Sequence, residues 1–155
     1  MRQSVSTIAF VFFILAAIAS ANDEIADGRA MIQSARDEIV RTELHMTDEE
    51  AAGFWPLYSQ YREKHNEVMD RYGEMIAEYI RRYDDADLSD EYADEMIASY
   101  FEVKNDLLTV QQDFLPKFRA VLPALKVARF YQLENKINVE IDAQLAIAIP
   151  LVDPS

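Results

Sequence analysis

From Asp48 onward, apolar and aromatic side chains return in steps of three and four: Phe54, Leu57, Tyr58, Tyr61, His65, Val68, Met69, Tyr72, Met75, Ile76, Tyr79, Ile80 and Tyr83. That period keeps them on one face of an α-helix and scatters them over both faces of a strand. The chain must therefore cover one side of a helix running from Asp48 to Arg82, about 50 Å long at roughly 1.5 Å per residue. Its start is written too. Thr47 followed by Glu50 is a capping box, in which the Thr hydroxyl accepts the Glu50 backbone N–H and the Glu carboxylate accepts that of Thr47. With only 3 glycines and 5 prolines, few breaks are available. Pro56 removes a backbone hydrogen bond and is expected to bend the helix near its start. Gly73, flanked by an unbroken stripe, is expected to admit a close helix approach rather than to end the element.

The acidic segment from Asp84 to Glu95 interrupts the stripe and restarts it. Ser89 is the expected N-cap of the next helix, with Asp90 and Glu91 complementing the dipole of its first turn. A second stripe then runs through Tyr92, Met96, Ile97, Tyr100, Phe101, Leu107, Leu108, Phe114, Leu115, Phe118, Val121 and Leu122, with Lys104 as its one interruption. Pro116 should kink this helix, and Pro123 should end it and open the last one, which carries Phe130, Leu133, Ile137, Ile141 and Leu145. A shorter helix is expected from Ala26 to Glu43, with Met31, Ile32, Ala35, Ile39 and Val40 on its buried side. The fold class is thus all-α, with four helices, the two long ones joined by a short acidic turn into an antiparallel hairpin.

Residues 1–21 have the form of an export signal: Arg2, an apolar run from Ile8 to Ile18, and small residues at Ala19 and Ala21. Eleven apolar residues fall short of the roughly 20 that span a bilayer, which disfavours a membrane anchor. The exported chain would begin at Asn22, with a single helical domain over 22–148 and an extended tail over 149–155. It would carry 14 basic against 28 acidic residues. That balance disfavours nucleic acid or an anionic membrane as partner. With no cysteine, packing alone must hold the fold, and thiolate ligands and nucleophiles are excluded.

Chemistry finds little foothold. His45 and His65 are the candidate metal ligands, but His65 has Tyr61 and Met69 at four residues' distance and His45 stands in a loop, so neither has a paired ligand. His65 is expected at the edge of a helix interface. The acidic run lacks the alternating, glycine-centred order of a calcium loop. No nucleophile elbow, zinc-hydrolase helix or phosphate loop occurs. The expectation is a non-enzyme without a cofactor. Eight tyrosines, Phe54, Trp55 and several methionines most simply fill the seam between helices, yet a thin hairpin has more apolar face than it can bury alone. Excess face invites a second copy or a polypeptide client.

The segment Met46–Lys64, MTDEEAAGFWPLYSQYREK, resembles the helix-opening motif of periplasmic helical proteins of the Spy and CpxP type, whose signature is Leu-Thr-x-x-Gln. Met46 stands for the Leu and Glu50 for the Gln, leaving Thr47 and Glu50 as structural caps beside Phe54, Trp55, Pro56 and Tyr58. A second copy is similar to Val121–Ile137, with Pro123 at the Thr position and Lys126 at the Gln position. The literal match at Leu108, Thr109 and Gln112 lies inside a continuous helical stripe, where a cap has nothing to serve. The resemblance implies a cradle-shaped homodimer in the periplasm, acting as an ATP-independent chaperone or in the envelope stress response. The family's other branch implies a sensor or regulatory protein, metal-responsive or docking on a membrane sensor kinase. A purely structural envelope protein is a third reading. The chain departs from the family in its acidic charge, although Lys117, Arg119, Lys126, Arg129 and Lys136 gather a local basic excess between Pro116 and Leu145 and are the expected client-binding residues.

Overall fold

In the computed structural model the described residues are 22–153, with side chains from Met31 onward. The expected export signal lies outside them. The chain is all-α, with four helices and no strand among the described residues: α1 Asn22–Glu43, α2 Asp48–Asp84, α3 Asp90–Val121 and α4 Ala124–Ala148. Three of the boundaries follow from local chemistry. Thr47 Oγ1 accepts the Glu50 N–H at 3.3 Å while Glu50 Oε2 accepts the Thr47 N–H at 2.8 Å, so two otherwise unpaired donors at the start of α2 satisfy each other's residue. Ser89 Oγ accepts the Tyr92 N–H at 3.2 Å and opens α3. Leu122 is held extended, with φ −126° and ψ 146°, as the residue before a proline prefers. Pro123 then starts α4 without any side-chain cap. Pro56 and Pro116 are both exposed and sit inside helices that continue past them.

The core gathers where the ends of the long helices meet α4. Phe54, Tyr58 and Tyr61 from α2 pack with Phe114 and Phe118 from α3, Phe130 from α4, and Val40 and Leu44 at the end of α1. Phe118 and Phe130 are 4.8 Å apart between ring centres at 60°, and Phe54 meets Phe130 edge to face at 5.4 Å. Such pairs add about 0.5–1.5 kcal/mol each beyond the area they bury. Trp55 is half-buried and carries the Arg41 guanidinium 4.4 Å over its ring. A smaller cluster, Val68, Tyr72 and Val103, closes the middle of the α2–α3 contact.

Two expectations are corrected here. A methyl at Gly73 would meet nothing within 4 Å, so this glycine serves no close approach; one at Gly53 would lie 3.1 Å from Val121, and that is where α2 and α3 come closest to needing a glycine. On α1, Met31 and Ala35 are exposed, and the buried face is set by Arg36, Val40 and Leu44. These follow one another at intervals of four, and Arg36 turns inward because its partner is an acid on α4.

These positions give a stability test. Gly73→Ala should stabilise the chain by about 0.5–1 kcal/mol, the helix propensity difference at an open site. Gly53→Ala, which must push Val121 aside, should fall short of that gain or destabilise. Urea midpoints for both variants check the pair, and a destabilising Gly73→Ala would mean that something packs on that face.

Candidate functional site

Glu134 on α4 is 1% exposed and Arg36 on α1 is 2% exposed. Arg36 Nη1 donates to Glu134 Oε1 at 2.9 Å and Nη2 to Asn138 Oδ1 at 2.9 Å. The Tyr61 hydroxyl donates to Glu134 Oε2 at 3.0 Å, and Arg62 Nη1 stands 3.6 Å from that oxygen. Arg62 is otherwise held by Gln33 Oε1 at 3.1 Å and Asn66 Oδ1 at 2.9 Å. One buried carboxylate thus faces two buried guanidiniums. Arg36 Nε, Arg62 Nη1 and His65 Nδ1 are buried without a hydrogen-bond partner. Burial, and after it the neighbouring charge of Glu134, pushes the Tyr61 hydroxyl well above its usual range. It stays a donor at any physiological pH. A cleft of about 440 Å³ opens beside this cluster, with Arg36, Arg62 and His65 along it, Ile32, Met69, Leu107 and Ile141 as apolar wall, and Asp70, Lys104 and Asp142 among its remaining residues.

A second, almost wholly apolar groove of about 400 Å³ lies toward the other end of the α2–α3 pair. Tyr72, Met75, Ile76 and Tyr79 line it from α2, and Met96, Ile97, Tyr100 and Phe101 from α3. Residues Ile149 to Val152 of the C-terminal tail lie along the same groove, where the Tyr79 hydroxyl donates to the Pro150 carbonyl at 2.8 Å. The groove continues into exposed surface: Ile97 is 51%, Phe101 65% and Leu108 50% exposed. Lys104, the interruption in the stripe, sits 5.1 Å over the Tyr72 ring and 5.5 Å over the Tyr100 ring. Its charge is thus accommodated on the aromatic faces rather than breaking the surface.

The residues singled out from sequence are dispersed. His65 is buried at 3% exposure, not at an interface edge, with its ring 5.8 Å from that of Tyr61. His45 is exposed in the α1–α2 loop with φ 47°, and its carbonyl accepts the Lys126 ammonium at 2.8 Å. The two histidines are separated by about 25 Å of α2, at roughly 1.5 Å per residue. Among the described residues no group of three or more His, Cys, Asp or Glu is arranged to hold a metal ion. Of the basic residues, Lys126 also binds Glu50 Oε2 at 2.5 Å, Arg129 binds the Glu43 carboxylate and carbonyl, and Lys117 lies 3.9 Å over the Phe114 ring. Arg119 and Lys136 are exposed. Lys126 first, and then the Thr47 N–H, hold the Glu50 carboxyl below its ordinary range. Arg36, Arg62 and Glu134 were not among the sequence candidates; the only signal was an acid in the otherwise apolar series Phe130, Glu134, Ile137, Ile141.

Glu134→Gln should be severely destabilising, by about 3–5 kcal/mol, because it leaves buried guanidiniums without their counter-charge. Urea unfolding by circular dichroism checks this, and a loss under 1 kcal/mol would mean that the arginines find another partner. The same cluster makes stability depend on pH. Burial first, then the charges of Arg62 and Arg36, hold the His65 imidazole down at about 3, whereas in the unfolded chain it takes a proton near 6.5. Between those values the unfolded state binds more protons, so the His65 contribution is present above about 6.5 and is lost as pH falls toward 3. From pH 7 to pH 5 the loss is about 2 kcal/mol. His65→Gln should remove that slope from urea midpoints measured at the two pH values, and an unchanged slope would contradict the assignment.

No protein-family model, curated protein or solved structure matches this chain.

Proposed function

We propose that the protein is an exported, all-α binding protein that holds apolar stretches of partly unfolded polypeptide along its α2–α3 pair, as an ATP-independent chaperone of the periplasm. Contacts between early residues of α2 and late residues of α3, and between late α2 and early α3, support reading the pair as an antiparallel hairpin: Gly53 meets Val121, Tyr72 meets Tyr100, and Arg82 lies over Tyr92. A hairpin with the large aromatic core at one end offers its other end for binding.

The observation that carries the reading is the chain's own tail. Ile149 to Val152 already lie as an extended apolar segment on the groove, held by one side-chain hydrogen bond from Tyr79 to a backbone carbonyl. A groove that receives one extended apolar segment by shape and by a main-chain bond suits others of the same kind, since neither feature depends on a particular side chain. The exposed row of Ile97, Phe101 and Leu108 extends the contact beyond what the tail covers. Lys126 and Arg129 are occupied by Glu50 and Glu43, so the apolar face carries the binding and the basic residues of the C-terminal third contribute at most through Lys117, Arg119 and Lys136. Homodimer formation is part of the proposal, the second copy leaving the groove open.

The chain at a one-to-one ratio should suppress aggregation of a chemically denatured client diluted from guanidinium, without nucleotide. The double variant Phe101→Asp and Leu108→Asp, both at exposed positions, should keep its helical signal and lose most of the suppression. Absence of suppression by the unaltered chain, or full suppression by the folded double variant, would refute the reading.

A further inference from the structure

We propose that the cleft beside Glu134 is a binding site for a small organic monocarboxylate with an apolar body, whose head supplies the second negative charge that Arg36 and Arg62 lack. This site is separate from the groove that takes polypeptide, and the inference does not depend on that reading.

The charge balance argues first. Arg36, Arg62 and Glu134 are all at least nine-tenths buried, and they contain two positive charges for one negative. A buried charge without a partner is costly enough that a fold normally pairs it, neutralises it or hydrates it. Here the surplus charge comes with surplus donors: Arg36 Nε and Arg62 Nη1 have no hydrogen-bond acceptor, and His65 Nδ1 beside them has no partner either. Such unmatched polar atoms, enclosed beside a cavity, are what a ligand head group completes once a side chain turns to admit it. The nitrogens are closed off from solvent, so a carboxylate reaches them through a rotation of the Arg62 guanidinium, the more exposed of the two and the one whose contact with Glu134, at 3.6 Å, is the longer.

Shape and outer charge narrow the class. The cleft of about 440 Å³ has Ile32, Met69, Leu107 and Ile141 along it, and these would receive an alkyl or aryl body, not a second polar group. Asp70 and Asp142 line the same cleft, and Asp142 is 3.5 Å from Lys104. A second charge on the ligand would lie against the apolar wall without a partner, which disfavours a dianion such as phosphate and leaves the inner guanidiniums to draw in a single negative head. A monocarboxylate with an apolar tail satisfies both halves.

Isothermal titration of the chain with hexanoate and phenylacetate at pH 7 and fixed ionic strength, with acetate, chloride and phosphate as controls, tests the proposal. Saturable binding of the larger carboxylates is expected, at least tenfold tighter than acetate, with the His65 ring signals shifting along the same isotherm in proton–nitrogen spectra. Arg62→Gln should weaken hexanoate binding at least tenfold. Leu107→Trp, which fills the cleft and leaves every charge in place, should do the same and decides the matter if Arg62→Gln does not fold. No saturable binding of either larger carboxylate, equal binding of chloride or phosphate, or hexanoate binding retained in folded Leu107→Trp would each overturn it.

Discussion

The structure depends on one buried acid. Glu134 receives a hydrogen bond from Arg36 of α1 and another from Tyr61 of α2, so a single carboxylate on α4 fixes the two neighbouring helices about it. Hydrophobic packing alone is tolerant of sliding and rotation, because one apolar contact resembles the next. A charged pair at 2.9 Å with both members almost fully buried is not tolerant, since any shift strands an ion in a low-dielectric interior. The arrangement also explains why α1, with few large apolar residues, packs at all: its buried face is built around an arginine whose two terminal nitrogens bond Glu134 and Asn138 of α4.

From that point the molecule divides into a closed half and an open one. Toward the α1–α2 loop, Phe54, Tyr61, Phe118 and Phe130 interlock, and Lys126 and Arg129 tie α4 to Glu50 and to Glu43. The Glu50–Lys126 pair joins the first turn of α2 to the first turn of α4. Toward the α2–α3 turn, by contrast, the buried apolar residues are Val68, Tyr72, Tyr79 and Val103, and Ile97, Tyr100 and Phe101 of α3 face outward. A chain that needed only stability would gain by covering that surface, which is the ground on which we propose it for binding.

The helices were legible in the sequence because their causes are local. The three-and-four stripe, the Thr47–Glu50 box, the Ser89 cap and the Leu122–Pro123 break each act within a few residues, and each has its counterpart in the structure. What the stripe could not tell was which of its members would be covered. Phe101 and Phe118 carry the same side chain in the same pattern, yet one is 65% exposed and the other fully buried, because the second packs against rings of both α2 and α4. The Arg36–Glu134 bond was illegible for a related reason: its partners are 98 residues apart, and nothing local distinguishes a charge that turns inward from one that faces solvent. Gly73 misled because a mid-helix glycine has the same appearance whether or not a neighbouring helix needs the space.

The central claim is that the α2–α3 groove, not the basic C-terminal third, receives polypeptide. Hydrogen exchange read by mass spectrometry, with and without a permanently unfolded client, measures this directly. The account predicts slower exchange confined to residues 72–83 and 96–108 on client addition, with faster exchange at 149–153 as the tail is displaced. Protection confined to residues 117–136, or no change anywhere at saturating client, would contradict it.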